Sequence, residues 1–64
     1  MDGLQNYRIE ELNPFLEWHH HGTANGLDDA MLWAKTLNQQ IGRSVRVLDG
    51  KGDVLAYFEG PSRQ

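Results

Sequence analysis

Cysteine is absent from the chain, so neither a disulfide nor a thiolate metal site can reinforce its core. That absence fits an intracellular protein, and a cytoplasmic location is the expectation. Also missing is any apolar run near the about 18 residues that would cross a bilayer, or a basic segment leading into an apolar one as in a secretory signal. No membrane partner is expected. Charge of one sign is scarce as well: six Lys and Arg stand against nine Asp and Glu, for a net charge of −3, and neither sign forms a block. Nucleic-acid binders gather bases into a patch that displaces counterions, so scattered and outnumbered bases argue against that class. Catalytic sets are wanting too. Ser44 and Ser62 are the only serines, and neither lies in a nucleophile elbow. Gly50-Lys51-Gly52 has too few glycines, and no following helix, for a phosphate loop. A chain of 64 residues makes one small domain with little room for a buried pocket, and a non-enzyme is expected.

What is present begins with one helix. At about 100° per residue, Leu27, Ala30, Ala34, Leu37 and Ile41 fall on one stripe. Met31 and Trp33 flank it, while Lys35, Thr36, Gln39 and Gln40 point away. Gly26 or Asn25 supplies the N-cap, and Asp28 and Asp29 place carboxylates in the first turn, where the helix dipole favours them. Gly42 suits the left-handed position that ends a helix. The pattern predicts a helix over 27–41, with Leu32 alone facing away from the core.

The rest reads as strands. Tyr7–Leu12 alternates, with Tyr7 and Ile9 opposed by Arg8 and Glu10, although a short helical turn competes there. Asn13-Pro14 interrupts either structure. Phe15–Thr23 is a second strand, with Leu16, Trp18 and His20 toward the core and Phe15, Glu17, His19 and His21 on the other side. Arg43–Leu48 and Asp53–Glu59 form a hairpin about the turn signal Asp49-Gly50-Lys51-Gly52. An even-length turn pairs Val47 with Val54 and Val45 with Ala56, with Phe58 on the same face. A three-residue turn would pair Val47 with Leu55 instead; the even case is preferred. Residues 1–5 and 60–64 are expected to be disordered ends of a single domain spanning 1–64. The fold class is therefore α+β: a β-β-α-β-β order, a mainly antiparallel four-stranded sheet with one helix packed on one face.

On Asp29-Ala30, Ala34, Leu37 and Asp49-Gly50, the chain resembles families of short uncharacterised bacterial proteins with the same β-β-α-β-β order. The likeness is one of architecture and implies no activity.

Two features could carry function. One helix leaves the other sheet face open, and that face is expected to hold Leu48, Leu55 and Tyr57 with Arg46 at the rim. Apolar and aromatic residues beside arginine compose a protein interface, so a protein partner or a second copy of the chain is expected there. The second feature is the row Glu17, His19 and His21. Alternate residues on a strand point the same way, and two imidazoles with a carboxylate could ligate a zinc-like divalent ion. No other cofactor is implied. The reading favoured by the sequence is a small non-enzymatic interaction or regulatory module, with divalent-metal binding as the alternative.

Overall fold

The structure, a computed structural model, describes residues 6–60. Their order is β1 (Tyr7–Leu12), β2 (Trp18–Ala24), α1 (Leu27–Ile41), β3 (Val45–Leu48) and β4 (Val54–Phe58). The four strands form one antiparallel sheet in the order β2-β1-β3-β4, so the fold is α+β with the expected β-β-α-β-β succession. Central position explains the burial of Val45 and Val47 in β3 and of Ile9 in β1. Ile9, Val45 and Val47 have partners on both sides and are fully buried under α1. Each such side chain contributes roughly 1.5–3 kcal/mol of burial.

The helix has the predicted bounds, and its caps explain them. Gly26 is an extended N-cap whose carbonyl accepts the Ala30 N–H, and Asp28 and Asp29 occupy the first turn. Gly42 ends the helix at φ 66, a left-handed conformation that costs glycine nothing, and donates its N–H to the Asn38 carbonyl. Ala30, Ala34 and Leu37 are buried against the sheet, with Met31 and Ile41 partly so. Leu27, at the first turn, stays half-exposed, unlike the rest of its stripe; Leu32 is exposed as expected. Asn38 then ties the helix end to β4: its side-chain NH2 donates to the carbonyls of Arg43, Phe58 and Glu59 at 2.9, 3.4 and 3.1 Å.

Three expectations are corrected. First, β2 begins at Trp18, not Phe15. Asn13 to Glu17 instead close a tight turn, with Asn13 N–H to Glu17 O at 2.9 Å and Leu16 N–H to Asn13 O at 2.9 Å. Second, the even-length register of the β3–β4 hairpin does not form. Its turn has three residues between Asp49 and Asp53, pairing Leu48 with Val54. A β-bulge then leaves Leu55 unpaired and sets Val47 opposite Ala56 and Val45 opposite Phe58. The bulge restores the face parity, so Val45, Val47, Ala56 and Phe58 still meet the helix. Third, Gly60 is not a loose end: its N–H donates to Ser44 Oγ at 3.0 Å. The rest of the disorder expected over 1–5 and 60–64 falls on residues 1–5 and 61–64, outside the described residues.

A second bulge shapes β2. Ile9 pairs with Gly22 and Glu10 with His20, leaving His21 between them without a partner strand residue. Gly22 lies close against the Trp33 ring, where a side chain would meet the end of the indole. A Cβ added at this point would push aside the indole that α1 lays over β2.

Candidate interaction surface

On the face away from α1, one cross-strand row runs His20, Glu10, Arg46, Tyr57, one residue from each strand. Alternation dictates this: Ile9, Val45 and Val47 turn inward, so Glu10 and Arg46 must turn outward. Glu10 is nonetheless only 5% exposed, because two guanidinium groups close over it. Arg8 reaches its Oε2 at 2.8 Å, and Arg46 meets its Oε1 through both Nε (2.8 Å) and a terminal nitrogen (2.7 Å). Desolvation pushes the Glu10 carboxyl up, but the hydrogen bonds from Arg46 and Arg8, aided by their charge, outweigh it and hold the carboxyl below its ordinary value.

Trp18 completes the surface. The Arg46 guanidinium lies 4.1 Å from the centroid of its ring, a cation–π contact, and the Tyr57 ring meets the indole edge-on at 6.1 Å. The Tyr57 hydroxyl donates to Ser44 Oγ at 3.2 Å, which fixes the ring while leaving it 54% exposed. The result is a cluster in which the guanidinium lies over the indole and the phenol meets the indole edge-on, supported by a buried carboxylate. Two cations share that one carboxylate, so the platform keeps an excess of positive charge.

Of the residues expected here, Arg46 and Tyr57 stand together on the open face. Leu48 shares the face but is buried within the chain itself, outside the cluster under the helix, so it offers no contact area. Leu55 is exposed as the bulged residue of β4, beside exposed Val54. Trp18 and His20 are corrected: they lie on the open face and not toward the core, because the pairing of His20 with Glu10 sets the parity of β2. Trp18 and Glu10 are the members that sequence reasoning missed. The usable signal was a carboxylate at the centre of a strand, flanked by arginine and opposite a tryptophan-bearing strand.

The row Glu17, His19, His21 does not form. Glu17 lies before the strand, in the turn, so the row lacks its carboxylate on β2. His21 Nδ1 instead lies 3.4 Å from Glu11 Oε1, an ion pair only when the imidazole is protonated, and its ring meets Trp33 edge-on at 5.6 Å. Arg43 holds the other Glu11 oxygen at 3.3 Å. His19 is opposite Glu11 across the β1–β2 pair. Among the described residues, no three His, Asp or Glu side chains are placed to hold one ion.

Among the described residues, no helix is long and apolar enough to cross a membrane. Comparison of the chain with protein-family models, curated proteins and solved structures finds no match in any of them.

Proposed function

We propose that this chain is a small non-enzymatic interaction module that binds protein through its open sheet face. The observation that carries the reading is the Trp18–Arg46–Tyr57 cluster, whose arginine is held by buried Glu10. Aromatic rings and arginine are the residue types that concentrate binding energy at interfaces, and here they are ordered before any partner arrives. The excess guanidinium charge favours a partner surface that carries a carboxylate, and exposed Leu55 and Val54 extend the contact with apolar area. A second copy of the chain is the first partner to test.

Sedimentation velocity from micromolar to millimolar concentration, with NMR linewidths, reads self-association directly. A dimer lost in Tyr57→Ser assigns the face to a second copy. A monomer throughout leaves a foreign protein, which a photo-crosslinking residue placed at Tyr57 would capture. No crosslink from position 57, with no self-association, would remove the open face from the account.

A further inference from the structure

The two hairpins are closed by the same backbone device. In the turn from Asn13, Asn13 N–H bonds Glu17 O (2.9 Å), Leu16 N–H bonds Asn13 O (2.9 Å), and the Asn13 Oδ1 accepts from the N–H groups of Phe15 and Glu17 (both 2.9 Å). In the turn from Asp49, Asp49 N–H bonds Asp53 O (2.9 Å), Gly52 N–H bonds Asp49 O (3.0 Å), and the Asp49 Oδ1 accepts from Lys51 and Asp53 (2.9 and 3.0 Å). Each carries a left-handed residue at the same place: Leu16 at φ 66 and Gly52 at φ 92. The Asp49 turn has the residue that this geometry asks for, glycine in the left-handed position.

The Asn13 turn departs from that solution at its tip. Phe15 is 82% exposed and Leu16 78%, the most exposed large hydrophobic side chains of the described residues. Leucine is disfavoured there twice, by its backbone conformation and by contact with water, and neither side chain belongs to the core cluster. Nothing among the described residues offsets those costs. Strained residues of this kind point outward to function.

We infer that Phe15 and Leu16 form a preformed anchor that inserts into an apolar pocket, rimmed by a basic side chain, on another protein. The closing hydrogen bonds hold the tip in shape before contact, so little freedom is lost on docking. Exposed Glu17 follows the pair, and the bases at this end of the sheet, Arg43 and Arg46, are held by Glu11 and Glu10, which sets the charge of the rim. Because those bases are already paired, an anionic bilayer is disfavoured. A second copy is disfavoured as well. The exposed apolar Val54 and Leu55 lie at the opposite end of the strands, so such a contact would run head to tail without closing. This anchor is carried by a different observation from the open face and does not rest on it.

The test places p-benzoylphenylalanine at Phe15, Leu16, Tyr57 or, as control, Lys35 in the full chain in the cells that make it. The captured protein is then purified and titrated with variants. Crosslinks from positions 15 and 16 to one protein, and none from 35, are expected. Replacing the tip by that of the other turn (Pro14→Gly, Phe15→Lys and Leu16→Gly together) should weaken binding to that protein at least 30-fold with no loss of thermal stability. Phe15→Ala alone, which keeps the backbone frame, should weaken it about tenfold. No crosslink from 15 or 16, or wild-type affinity in both variants, overturns the anchor. Loss in Tyr57→Ser with both tip variants unaffected also overturns it, while leaving the open-face reading standing. So do two other results: binding to phosphatidylcholine–phosphatidylglycerol vesicles that the tip replacement abolishes, or a self-associated species that it disperses.

Discussion

The turn from Asn13 to Glu17 and the turn from Asp49 to Asp53 share a hydrogen-bonding frame, bond for bond, yet present opposite surfaces. One offers Gly50, Lys51 and Gly52 to water, the other Pro14, Phe15 and Leu16. Because the frame is the same, the difference in side chains is not a requirement of turning the chain. The Asp49 turn shows what this chain does when only geometry matters. Against that internal control, an exposed leucine at positive φ stands out as a cost, of roughly 1–2 kcal/mol for the left-handed backbone, accepted for something other than folding.

The contrast extends into the hairpins. β1 brings a buried charge to the sheet, whereas the core-facing residues of β3 and β4 are apolar. Glu10→Ala should have the largest effect: about 2–3 kcal/mol of lost stability in urea melts, because Arg46 and Arg8 would be left over a buried site without a counter-charge. The folded-state carboxyl lies below its ordinary value of 4.5. Its stabilisation is therefore present above that pH and lost as the pH falls through the folded value. Glu10→Gln should flatten that acid limb.

Gly52→Leu comes next, since it makes the second turn resemble the first. It should cost about 1–2 kcal/mol and lower the melting temperature by about 5–10 °C. Asn13→Ala and Asp49→Ala each remove a side-chain acceptor that serves two backbone N–H groups. They should cost about 1 kcal/mol apiece, equal within a few tenths, as read by chemical denaturation. Unequal losses would break the equivalence of the two frames. The smallest effect expected is that of zinc: histidine ring NMR signals should move no more than in a denatured control, since Glu17 lies in the turn, off the strand that carries the histidines. A selective shift of His19 and His21 would contradict that placement.

The helix and the core face were legible in the sequence for a physical reason: both rest on local rules. The stripe from Ala30 to Ile41 and the glycines at positions 26 and 42 fix 27–41 without reference to the rest of the chain. The inward set Val45, Val47, Ala56 and Phe58 was legible too, because alternation survives a shift of register by two. The register itself was not, since the bulge at Leu55 has no local signature in Val54-Leu55-Ala56. The parity of β2 was hidden likewise: it depends on the cross-strand match of His20 to Glu10 and on the space at Gly22 that Trp33 fills. The Asn13 turn was hidden by its own unusual residues. Leucine in a left-handed position reads as strand, so Phe15 and Leu16 were assigned to one. The open face was legible through Arg46 and Tyr57, but Leu48 is consumed within the chain and Trp18 was assigned to the wrong side.

The account turns on whether Leu16 burdens the fold that contains it, and thermal melting of Leu16→Gly beside Gly52→Leu asks that directly. The account predicts opposite signs, with Leu16→Gly raising the melting temperature by about 2–5 °C while Gly52→Leu lowers it. A fall in Leu16→Gly comparable to that of Gly52→Leu would mean that the leucine supports its own domain, and would contradict the claim that it is held for a partner.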